Sequence, residues 1–272
     1  MPELPEVETV KRVLKNKLSG LVIKNIKLNY AKTIEYPLSE IFIKNIINQK
    51  INDVKRRGKW LIFDLDDYYL LSHLRMEGKY NFKSNGDLEN KHEHVIFYLS
   101  DNTELRYQDT RKFGRMHLIN KADLDTYSKL LELGYEPWDD QLTVKYLKDK
   151  YKNKKLAVKS VVLDQSIIVG IGNIYADEIL FLSHINPLKS ANLLTDKELT
   201  SIIVNTKDVL TKAIALGGTT IRTFSAGDNH GNFQDQLLVH GKEKQACLVC
   251  GDIIKKIKVG GRGTYYCPTC QK

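Results

Sequence analysis

Hydrophobic residues near the N-terminus recur at helical spacing. After Pro5, an apolar stripe is formed by Val7, Val10, Leu14 and Leu18. Their separations of three or four residues place them on one face of a helix. The Ser19-Gly20 pair then ends the pattern, because glycine is favoured just beyond a helix C-terminus. The sequence therefore predicts a leading helix with a buried apolar face.

The pattern changes over residues 21–120 to short runs with a period of two. Such alternation is typical of β-strands that bury one face. Residues 61–65 and 69–71 flank a polar connection, and residues 95–99 and 104–107 flank another. Strands joined by such short polar connections form antiparallel hairpins. We therefore predict an N-terminal antiparallel β-sandwich, or a barrel, behind the leading helix.

The C-terminal half has helical spacing instead. Residues 196–216 are predicted to form one long helix that ends at Gly217-Gly218, and the Gly-, Ser-, Thr- and Asn-rich stretch after it is predicted to be a loop. The fold class is therefore α+β and multidomain. The predicted domains are a β-sandwich domain at 1–130, a helical domain at 131–236 that includes a loop at 217–236, and a C-terminal module at 237–272.

A glycine-rich turn precedes another predicted helix. Gly170-Ile171-Gly172-Asn173 stands before residues 174–183, with Asn173 near the helix cap. The stripe that we expect this helix to bury consists of Tyr175, Ile179 and Leu182. A helix N-terminus preceded by glycines is a site for a phosphate group, although an ordinary capped helix has the same sequence signature.

The net charge of the chain is positive. There are 42 Lys and Arg against 33 Asp and Glu, which gives +9, and the excess is concentrated at 241–272 and in Lys55, Arg56, Arg57 and Lys59. Such clusters favour a polyanionic partner, although a solvated basic surface explains them equally well. No apolar stretch is long enough to span a membrane, and acidic residues stand where a signal peptide carries positive charge. We expect a soluble, cytoplasmic protein.

The cysteines form the strongest local motif. Cys247, Cys250, Cys267 and Cys270 make two C-x2-C pairs separated by sixteen residues, a spacing typical of a tetrahedral structural zinc site. Two disulfides are the alternative, but they are rare in a reducing cytoplasm. Four thiolates leave no open coordination position, so this zinc is not catalytic. Between the pairs, the basic segment 255–263 predicts a hairpin that presents Arg262 between glycines to a phosphate.

The first residues carry candidate chemistry of another kind. The small residue after Met1 favours Met1 removal, which gives Pro2 a free secondary amine. Attack of this amine on a carbonyl-type carbon gives a cationic iminium, which is an electron sink for elimination. Glu3 is placed to transfer protons. The alternative is that Pro2 and Pro5 only shape the start of a helix.

Several separated motifs accompany these features. They are PELPEVET at 2–9, RRGKW at 56–60, HLRMEGKY at 73–80, DTRKFG at 109–114, GIGNIYADE at 170–178 and the terminal four-cysteine module. With these motifs in this order, essentially the whole chain resembles the formamidopyrimidine-DNA glycosylases, which are bacterial base-excision repair enzymes. The resemblance implies a β-sandwich with a leading helix, a helix-two-turns-helix domain and a C-terminal four-cysteine zinc-finger hairpin.

The resemblance also implies catalytic roles. Pro2 matches the nucleophile that attacks C1′ of the damaged nucleoside, and Glu3 matches the acid/base that acts on the deoxyribose and in β-elimination. Lys59 matches a basic catalytic residue near the phosphates of the lesion. Glu6 matches a supporting carboxylate, and Glu178 an acidic residue buried near the proline.

Further matches imply contacts with DNA. The matching residues are His73, Met76, His92, Arg111, Phe113, Asn173 and Arg262. Met76, Arg111 and Phe113 match the set that fills the void left by the extruded base, while Arg262 also matches a residue that assists δ-elimination. Extrusion costs on the order of a few kcal/mol, and inserted apolar side chains offset this cost. In isolation, Met76 and Phe113 would more often be core residues.

Two regions depart from the family or vary within it. His240 stands where the family more often has Tyr, which leaves that DNA contact open. Residues 217–236 match the family's lesion-recognition loop, and the backbone amides around Thr219–Thr223 are the expected readers of the base.

The sequence thus predicts a bifunctional DNA glycosylase and AP lyase that excises oxidised purines, such as 8-oxoguanine and formamidopyrimidines, with β,δ-elimination. Leu4 and the set of void-filling residues favour this activity over that of the sibling endonuclease VIII-type enzymes, which act on oxidised pyrimidines. A non-catalytic zinc protein that binds damaged DNA is the alternative from another class. The intact 2–6 segment argues against it, because binding alone needs no free N-terminus.

The expected partner is damaged double-stranded DNA, and the expected cofactor is one structural Zn²⁺. We expect a monomer with no membrane association, located in a bacterial cytoplasm and associated with the nucleoid when it is bound to DNA.

Overall fold

The computed structural model describes residues 1–219 and 231–272. The chain divides into two compact units, of which the first contains Met1–Leu131 with Thr219 and Gly231, and the second Glu132–Gly218 with Asn232–Lys272. The three domain ranges predicted from the sequence are finer than this division and stay a prediction. Within the described residues, no helix is long and apolar enough to cross a membrane.

The first unit begins with a helix and continues mostly as strands. Its helices are α1 (Leu4–Leu18), α2 (Ser39–Ile46) and α3 (Ser128–Leu131), with 3-10 helices at Ala31–Thr33 and Lys121–Thr126. Its strands are β1 (Ile23–Leu28), β2 (Ile34–Tyr36), β3 (Asp53–Arg57), β4 (Trp60–Asp64), β5 (Tyr68–His73), β6 (Lys79–Ser84), β7 (Glu93–Leu99), β8 (Thr103–Gln108) and β9 (Arg115–Asn120).

These strands form two sheets, with the orders β1-β7-β8-β6 and β2-β9-β5-β4-β3. The hairpins predicted around residues 61–71 and 95–107 are confirmed as β4–β5 and β7–β8. Neighbouring strands are antiparallel except β2 and β9, which run parallel. The sequence did not indicate this parallel edge pair, because three residues are too few to show a period.

One hydrophobic core joins α1 to both sheets. The predicted apolar face of α1 is buried, and it packs with Phe97 and Leu105 of one sheet and with Phe63 and Leu70 of the other. The predicted β-sandwich with a leading helix is thereby confirmed. Val7, in the first turn of this helix, belongs to the same core.

The second unit is helical and ends in a small hairpin. Its elements are α4 (Val144–Tyr151), α5 (Val158–Val162), α6 (Asn173–Leu182), α7 (Asp196–Ala215), β10 (Lys255–Val259) and β11 (Arg262–Tyr266), with 3-10 helices at Ala191–Leu193 and Phe233–Gln236. The predicted long helix is confirmed as α7. Gly217 and Gly218, both with positive φ, follow its end.

The stripe predicted on α6 is partly wrong. Tyr175 and Ile179 are fully buried, but Leu182 is 37% exposed. Every residue from Tyr175 to Phe181 is buried, so α6 is a core helix rather than an amphipathic one. Leu182 is its last residue and lines a cleft against α7 instead.

Candidate active site and nucleic-acid interface

The start of α1 fixes two carboxylates. Glu3 is the N-cap, and its side chain accepts the backbone N–H of Glu6, while Glu6 Oε2 accepts the N–H of Glu3 at 2.8 Å. This reciprocal capping box satisfies N–H groups that have no partner within the helix, and the helix dipole favours negative charge there. Both glutamates are buried. Each side chain is therefore held by the backbone of the other residue.

Glu6 also binds a distant part of the chain. Its Oε1 accepts the backbone N–H of Thr219 at 2.8 Å and the Thr219 hydroxyl at 3.1 Å. Thr219 is the last described residue before 220–230, so this end of the predicted lesion-recognition loop is attached to α1. The remaining residues of the predicted base-reading stretch, up to Thr223, lie outside the described residues.

Lys59 lies on the turn between β3 and β4, and it is 6% exposed. Arg56 holds this turn, because its Nη1 donates to the Gly58 carbonyl at 2.9 Å and its Nε donates to Glu8 Oε2 at 3.0 Å. Glu8 belongs to α1. The hairpin that carries Lys59 is thereby tied to the helix that carries Glu3 and Glu6.

The charges of Glu3, Glu6 and Lys59 all act on the amine at the N-terminus of the chain. Burial, the largest effect, lowers the pKa of the Met1 amine below its ordinary 8.0 against the opposing charges of Glu3 and Glu6, and the charge of Lys59 lowers it further. Pro2 is buried next to this amine. A lower pKa increases the neutral fraction of an amine at a given pH, and the neutral form is the one that attacks carbon. The structure therefore brings Pro2, Glu3, Glu6 and Lys59 together.

Two apolar side chains project from loops of the same unit. Met76 is 37% exposed and Phe113 46% exposed. The Arg111 guanidinium lies 4.8 Å from the centroid of the Phe113 ring, which is a cation–π distance. The Arg111 and Phe113 side chains therefore form one stacked group at the surface.

Buried Asp109 organises the loop that carries Arg111 and Phe113. Its Oδ1 accepts the N–H of Arg111 at 3.0 Å, and its Oδ2 accepts those of Phe113 at 2.9 Å and Gly114 at 2.8 Å. The sequence interpretation did not single out Asp109. Its position at the start of a polar segment was the available signal, because Asp side chains bind backbone N–H groups that follow them in turns.

His73 and His92, the two histidines predicted to contact DNA, occupy different environments. His73 ends β5, its Nδ1 accepts the Arg75 N–H at 3.0 Å, and its ring stands edge-on to Trp60 with 4.8 Å between centroids. Burial lowers the pKa of His73 to about 3, so this side chain is neutral at physiological pH. His92 precedes β7, and its carbonyl accepts the Asp109 N–H at 3.0 Å.

In the second unit, Asn173 is joined to the hairpin that carries Arg262. Asn173 begins α6, and its Nδ2 donates to the Gly263 carbonyl at 2.9 Å. The turn between β10 and β11 is Gly260-Gly261, and both residues have positive φ, as two-residue hairpin turns of this kind require. Arg262 follows this turn with an exposed side chain.

Glu178 and Asp177 bind the segment that follows the predicted lesion-recognition loop. The Glu178 carboxylate accepts the N–H groups of Leu238, Val239 and His240 at 2.7, 3.0 and 2.8 Å. Burial raises the pKa of Glu178 against these three donors. The expected position of Glu178 close to Pro2 stays a prediction. Asp177 Oδ2 lies 2.7 Å from His240 Nδ1, so the residue that departs from the family has a partner on α6.

Lys159 is a functional candidate that the sequence interpretation missed. It is fully buried, pairs with Asp177 and donates to the Asn173 carbonyl at 2.9 Å. It thus links the residue that begins α6 to the acid that binds His240. The available signal was a lysine within the apolar run 158–162, because a buried charge requires partners.

The four cysteines converge on one point. Their Sγ atoms all lie within 4.8 Å of one another, and Cys250–Cys267 and Cys247–Cys270 are separated by 3.4 and 3.9 Å. These distances exceed the bond of about 2.05 Å in a disulfide. They are close to the edge of roughly 3.8 Å that a tetrahedron with Zn–S bonds of about 2.3 Å requires. The residues therefore fit one structural Zn²⁺.

Comparisons with known proteins agree along the length of the chain. Residues 1–116 match the formamidopyrimidine-DNA glycosylase N-terminal domain, residues 133–225 its H2TH domain, and residues 244–272 the zinc finger found in FPG and IleRS. A formamidopyrimidine-DNA glycosylase of Rickettsia africae (strain ESF-5) is 49% identical over 273 residues, which cover 100% of this chain and 99% of that protein. The chain belongs to the formamidopyrimidine-DNA glycosylase family.

Solved structures of the same family superimpose on the whole chain. The Lactococcus lactis Fpg in complex with DNA containing an abasic site is 39% identical, with a TM-score of 0.93 and 99% of each chain covered. The wild-type Lactococcus lactis FPG (MutM) in complex with DNA containing an oxidized pyrimidine is 38% identical, with a TM-score of 0.93 and 100% of each chain covered. The predicted resemblance to formamidopyrimidine-DNA glycosylases is thus confirmed.

Proposed function

We propose that this member of the formamidopyrimidine-DNA glycosylase family is a bifunctional glycosylase and AP lyase of base excision repair, which excises oxidised purines from duplex DNA. The observation that carries the proposal is the half-buried N-terminus beside Glu3, Glu6 and Lys59, where burial lowers the pKa of an α-amine. A protein that only binds DNA has no use for such an environment.

The reaction follows from the chemistry of these groups. Once Met1 is removed, the neutral Pro2 nitrogen attacks C1′, and the base leaves with the glycosidic electron pair and takes up a proton. The Glu3 carboxylate accepts the proton that the Pro2 nitrogen loses. Glu3 supplies a proton to O4′ as the deoxyribose ring opens to the iminium, which accepts electrons when a C2′ proton is lost and the 3′ phosphate departs. Glu6 supports Pro2 and Glu3 through the helix start. Lys59 and Arg262 assist at the phosphates, and hydrolysis finally releases Pro2.

The remaining site residues are proposed to hold the DNA. Met76, Arg111 and Phe113 fill the space left by the extruded base, and His73 and His92 contact DNA from the same unit. Asn173 and Arg262 bind backbone phosphates, supported by the bond that joins Asn173 to the hairpin of Arg262. Glu178 supports the segment that follows the lesion-recognition loop.

Borohydride reduction tests the proposal directly. The untagged protein, shown by mass spectrometry to lack Met1, is incubated with duplex DNA containing 8-oxoguanine and then reduced. We expect a covalent adduct in which the DNA remnant maps to the N-terminal peptide. A protein that binds the duplex but gives no adduct would refute the enzymatic proposal and favour a non-catalytic zinc protein.

Matched variants separate the two chemical steps. Pro2→Gly is expected to lose most lyase activity, because a primary amine gives an imine that is less readily kept cationic. Glu3→Gln is expected to block base excision while the folded protein still binds DNA. A form with an N-terminal tag is the control, since it blocks the amine and keeps every side chain.

A second substrate class is supported by one specific observation. The Lactococcus lactis protein, 38% identical to this chain, has a solved complex with DNA containing an oxidized pyrimidine. Excision is therefore compared on duplexes that carry 8-oxoguanine or thymine glycol. We expect faster excision of 8-oxoguanine, and a strong preference for thymine glycol would instead assign an endonuclease VIII-type specificity.

We further propose that the protein acts as a monomer on damaged double-stranded DNA in a bacterial cytoplasm, at the nucleoid and without membrane association. The bacterial sources of its relatives support the cellular setting. The proposed domains are 1–130, 131–236 and 237–272. The three family matches, which fall within or close to these ranges, support this division.

A further inference from the structure

We propose that Tyr107 is a positioning residue for base extrusion. Its buried hydroxyl is a fixed point between the two loops that carry Met76 and Phe113, and it sets the distance between these side chains before DNA binds. The inference rests on the proposed function, because it concerns how the void-filling residues are held.

Two glycines lie against the Tyr107 hydroxyl. A Cβ atom added at Gly78 would lie 2.3 Å from Tyr107 Oη, and one added at Gly114 would lie 1.6 Å from it. Both distances are far below van der Waals contact. Gly78 ends the loop that contains Met76, and Gly114 ends the loop that contains Phe113. The absence of a side chain at both positions is therefore what allows both loops to touch one oxygen atom.

The tyrosine itself cannot move easily. Tyr107 lies on β8 and is 1% exposed, and its ring packs edge-on against Tyr80 with 5.3 Å between centroids. Tyr80 in turn packs against Phe63 of the other sheet and donates to Ser72 at 2.8 Å. The hydroxyl of Tyr107 is thus held by the core of the first unit, and it fixes the position of both loops relative to that core.

Each loop is closed on itself next to this hydroxyl. The Gly78 N–H donates to the Leu74 carbonyl at 2.9 Å, which closes the Met76 loop. Asp109 closes the Phe113 loop, and its Oδ2 lies 3.5 Å from Tyr107 Oη. Two internally closed loops that rest on one atom have a fixed separation. Groups held in their working geometry do not lose conformational freedom on binding, which favours insertion into the duplex.

Tyr107→Phe tests this role with little change to the core. The variant keeps the ring and removes only the atom on which both glycines rest. Tyr80→Phe is the matched control, because it removes a buried hydroxyl from the neighbouring ring of the same core, and this hydroxyl donates to Ser72. Gly114→Ala is a second variant, in which the added methyl group would overlap Tyr107 Oη and so displace the Phe113 loop.

Two measurements separate positioning from chemistry. The first is single-turnover excision of 8-oxoguanine from a duplex with 2-aminopurine beside the lesion, in which fluorescence reports insertion. The second is borohydride trapping on a single-stranded abasic oligonucleotide, which needs no base to be extruded. We expect Tyr107→Phe and Gly114→Ala to slow duplex excision by about tenfold or more and to reduce the fluorescence change. Trapping should stay within about twofold of the parent protein, and Tyr80→Phe should leave both measurements within that range.

Two results would overturn the inference. One is duplex excision by Tyr107→Phe at the parent rate, and the other is an equal loss in duplex excision and in trapping, which assigns Tyr107 a general structural role. Failure of the proposed function is recognised separately, because the parent protein would then give no trapped adduct on either DNA.

Discussion

Each of the two carboxylates at the start of α1, those of Glu3 and Glu6, has two structural roles. Glu3 caps the helix and lies beside the amine, while Glu6 divides its oxygens between the Glu3 N–H and Thr219. The same bonds that start the helix therefore also orient the acids around the proposed nucleophile.

The pH dependence of trapping follows from the buried amine. Burial lowers the pKa of the Met1 amine, and we expect it to act in the same direction on the Pro2 amine that replaces it. An amine with a lowered pKa stays neutral at lower pH. The initial rate of borohydride trapping, measured from about pH 5 to 9, should therefore rise with a midpoint below the ordinary α-amino value of about 8.

Lys59→Met provides the control for this prediction. The charge of Lys59 lowers the pKa of the N-terminal amine, so its removal should move the midpoint of trapping to higher pH, whatever happens to the maximal rate. A midpoint that is at or above about 8 in the parent protein, and unchanged in the variant, would contradict the role given to burial and to Lys59.

His73 predicts a loss of stability in acid. Its pKa is lowered to about 3 by burial, whereas an unfolded chain has the ordinary value of 6.5, so the unfolded state binds more protons between these values. The contribution to stability is complete above about pH 6.5 and is lost progressively as the pH falls towards 3. Urea unfolding at about pH 7.5, 6.5 and 5.5 should show a smaller decline in the free energy of unfolding for His73→Asn than for the parent protein.

This test depends on how steeply the free energy of unfolding changes with pH, and not on its value at one pH. Burial also lowers the pKa of His117, so the parent protein should lose stability in acid even without His73. Parallel curves for the parent and His73→Asn would show that His73 is protonated equally in the folded and unfolded states.

At the scale of elements, the sequence predicts what is encoded locally. The apolar spacing of α1, the two polar hairpin connections and the C-x2-C pairs each lie within a few residues, and the structure has all of them. The pairing of β2 with β9 and the pairing of Lys159 with Asp177 join distant residues. No local period marks such contacts, so they could not be predicted from one sequence.

Some residues of the candidate site could be assigned from the sequence, and others could not. Pro2, Glu3 and Lys59 were assigned because they lie in motifs that resemble those of a family. Tyr107 was missed because its close approach to Gly78 and Gly114 exists only once the two loops are folded. Leu182 was wrongly placed on a buried stripe because it is the last residue of α6 and lines a cleft instead of the core.

The β10–β11 hairpin makes a prediction about salt dependence. Arg262 is exposed directly after the Gly260-Gly261 turn, where it can neutralise one phosphate. Arg262→Ala should weaken binding to any duplex sequence and reduce the slope of log K against log salt concentration by about 0.9. Arg262→Lys keeps the charge and should retain the slope. An unchanged slope in Arg262→Ala would place Arg262 away from the DNA backbone.

At the scale of the whole molecule, the zinc module at residues 244–272 shares a buried core with α6. Phe181 of α6 and Val239 lie in one buried cluster with Cys247, Ile254 and Cys267. A module of this size buries little apolar surface, so its metal supplies much of its folding free energy. The first unit has a separate core around α1 and its two sheets.

Removal of zinc should therefore act on part of the chain only. After treatment with a chelator, hydrogen exchange is expected to accelerate throughout residues 244–272 while β4, β5 and α1 keep their protection. DNA affinity should fall together with the protection of the hairpin, and added Zn²⁺ should restore both. Equal loss of protection in the first unit would show that the two units unfold together.

The position of the reacting atom has a genetic consequence. The proposed nucleophile is the backbone nitrogen of residue 2 and belongs to no side chain. A single codon change deletes a serine or lysine nucleophile, but a change at codon 2 to another small residue still leaves an α-amine when Met1 is cleaved. Such alleles weaken the reaction instead of abolishing it. Complete loss-of-function alleles are then expected at Glu3 and Glu6, whose carboxylates have no backbone substitute.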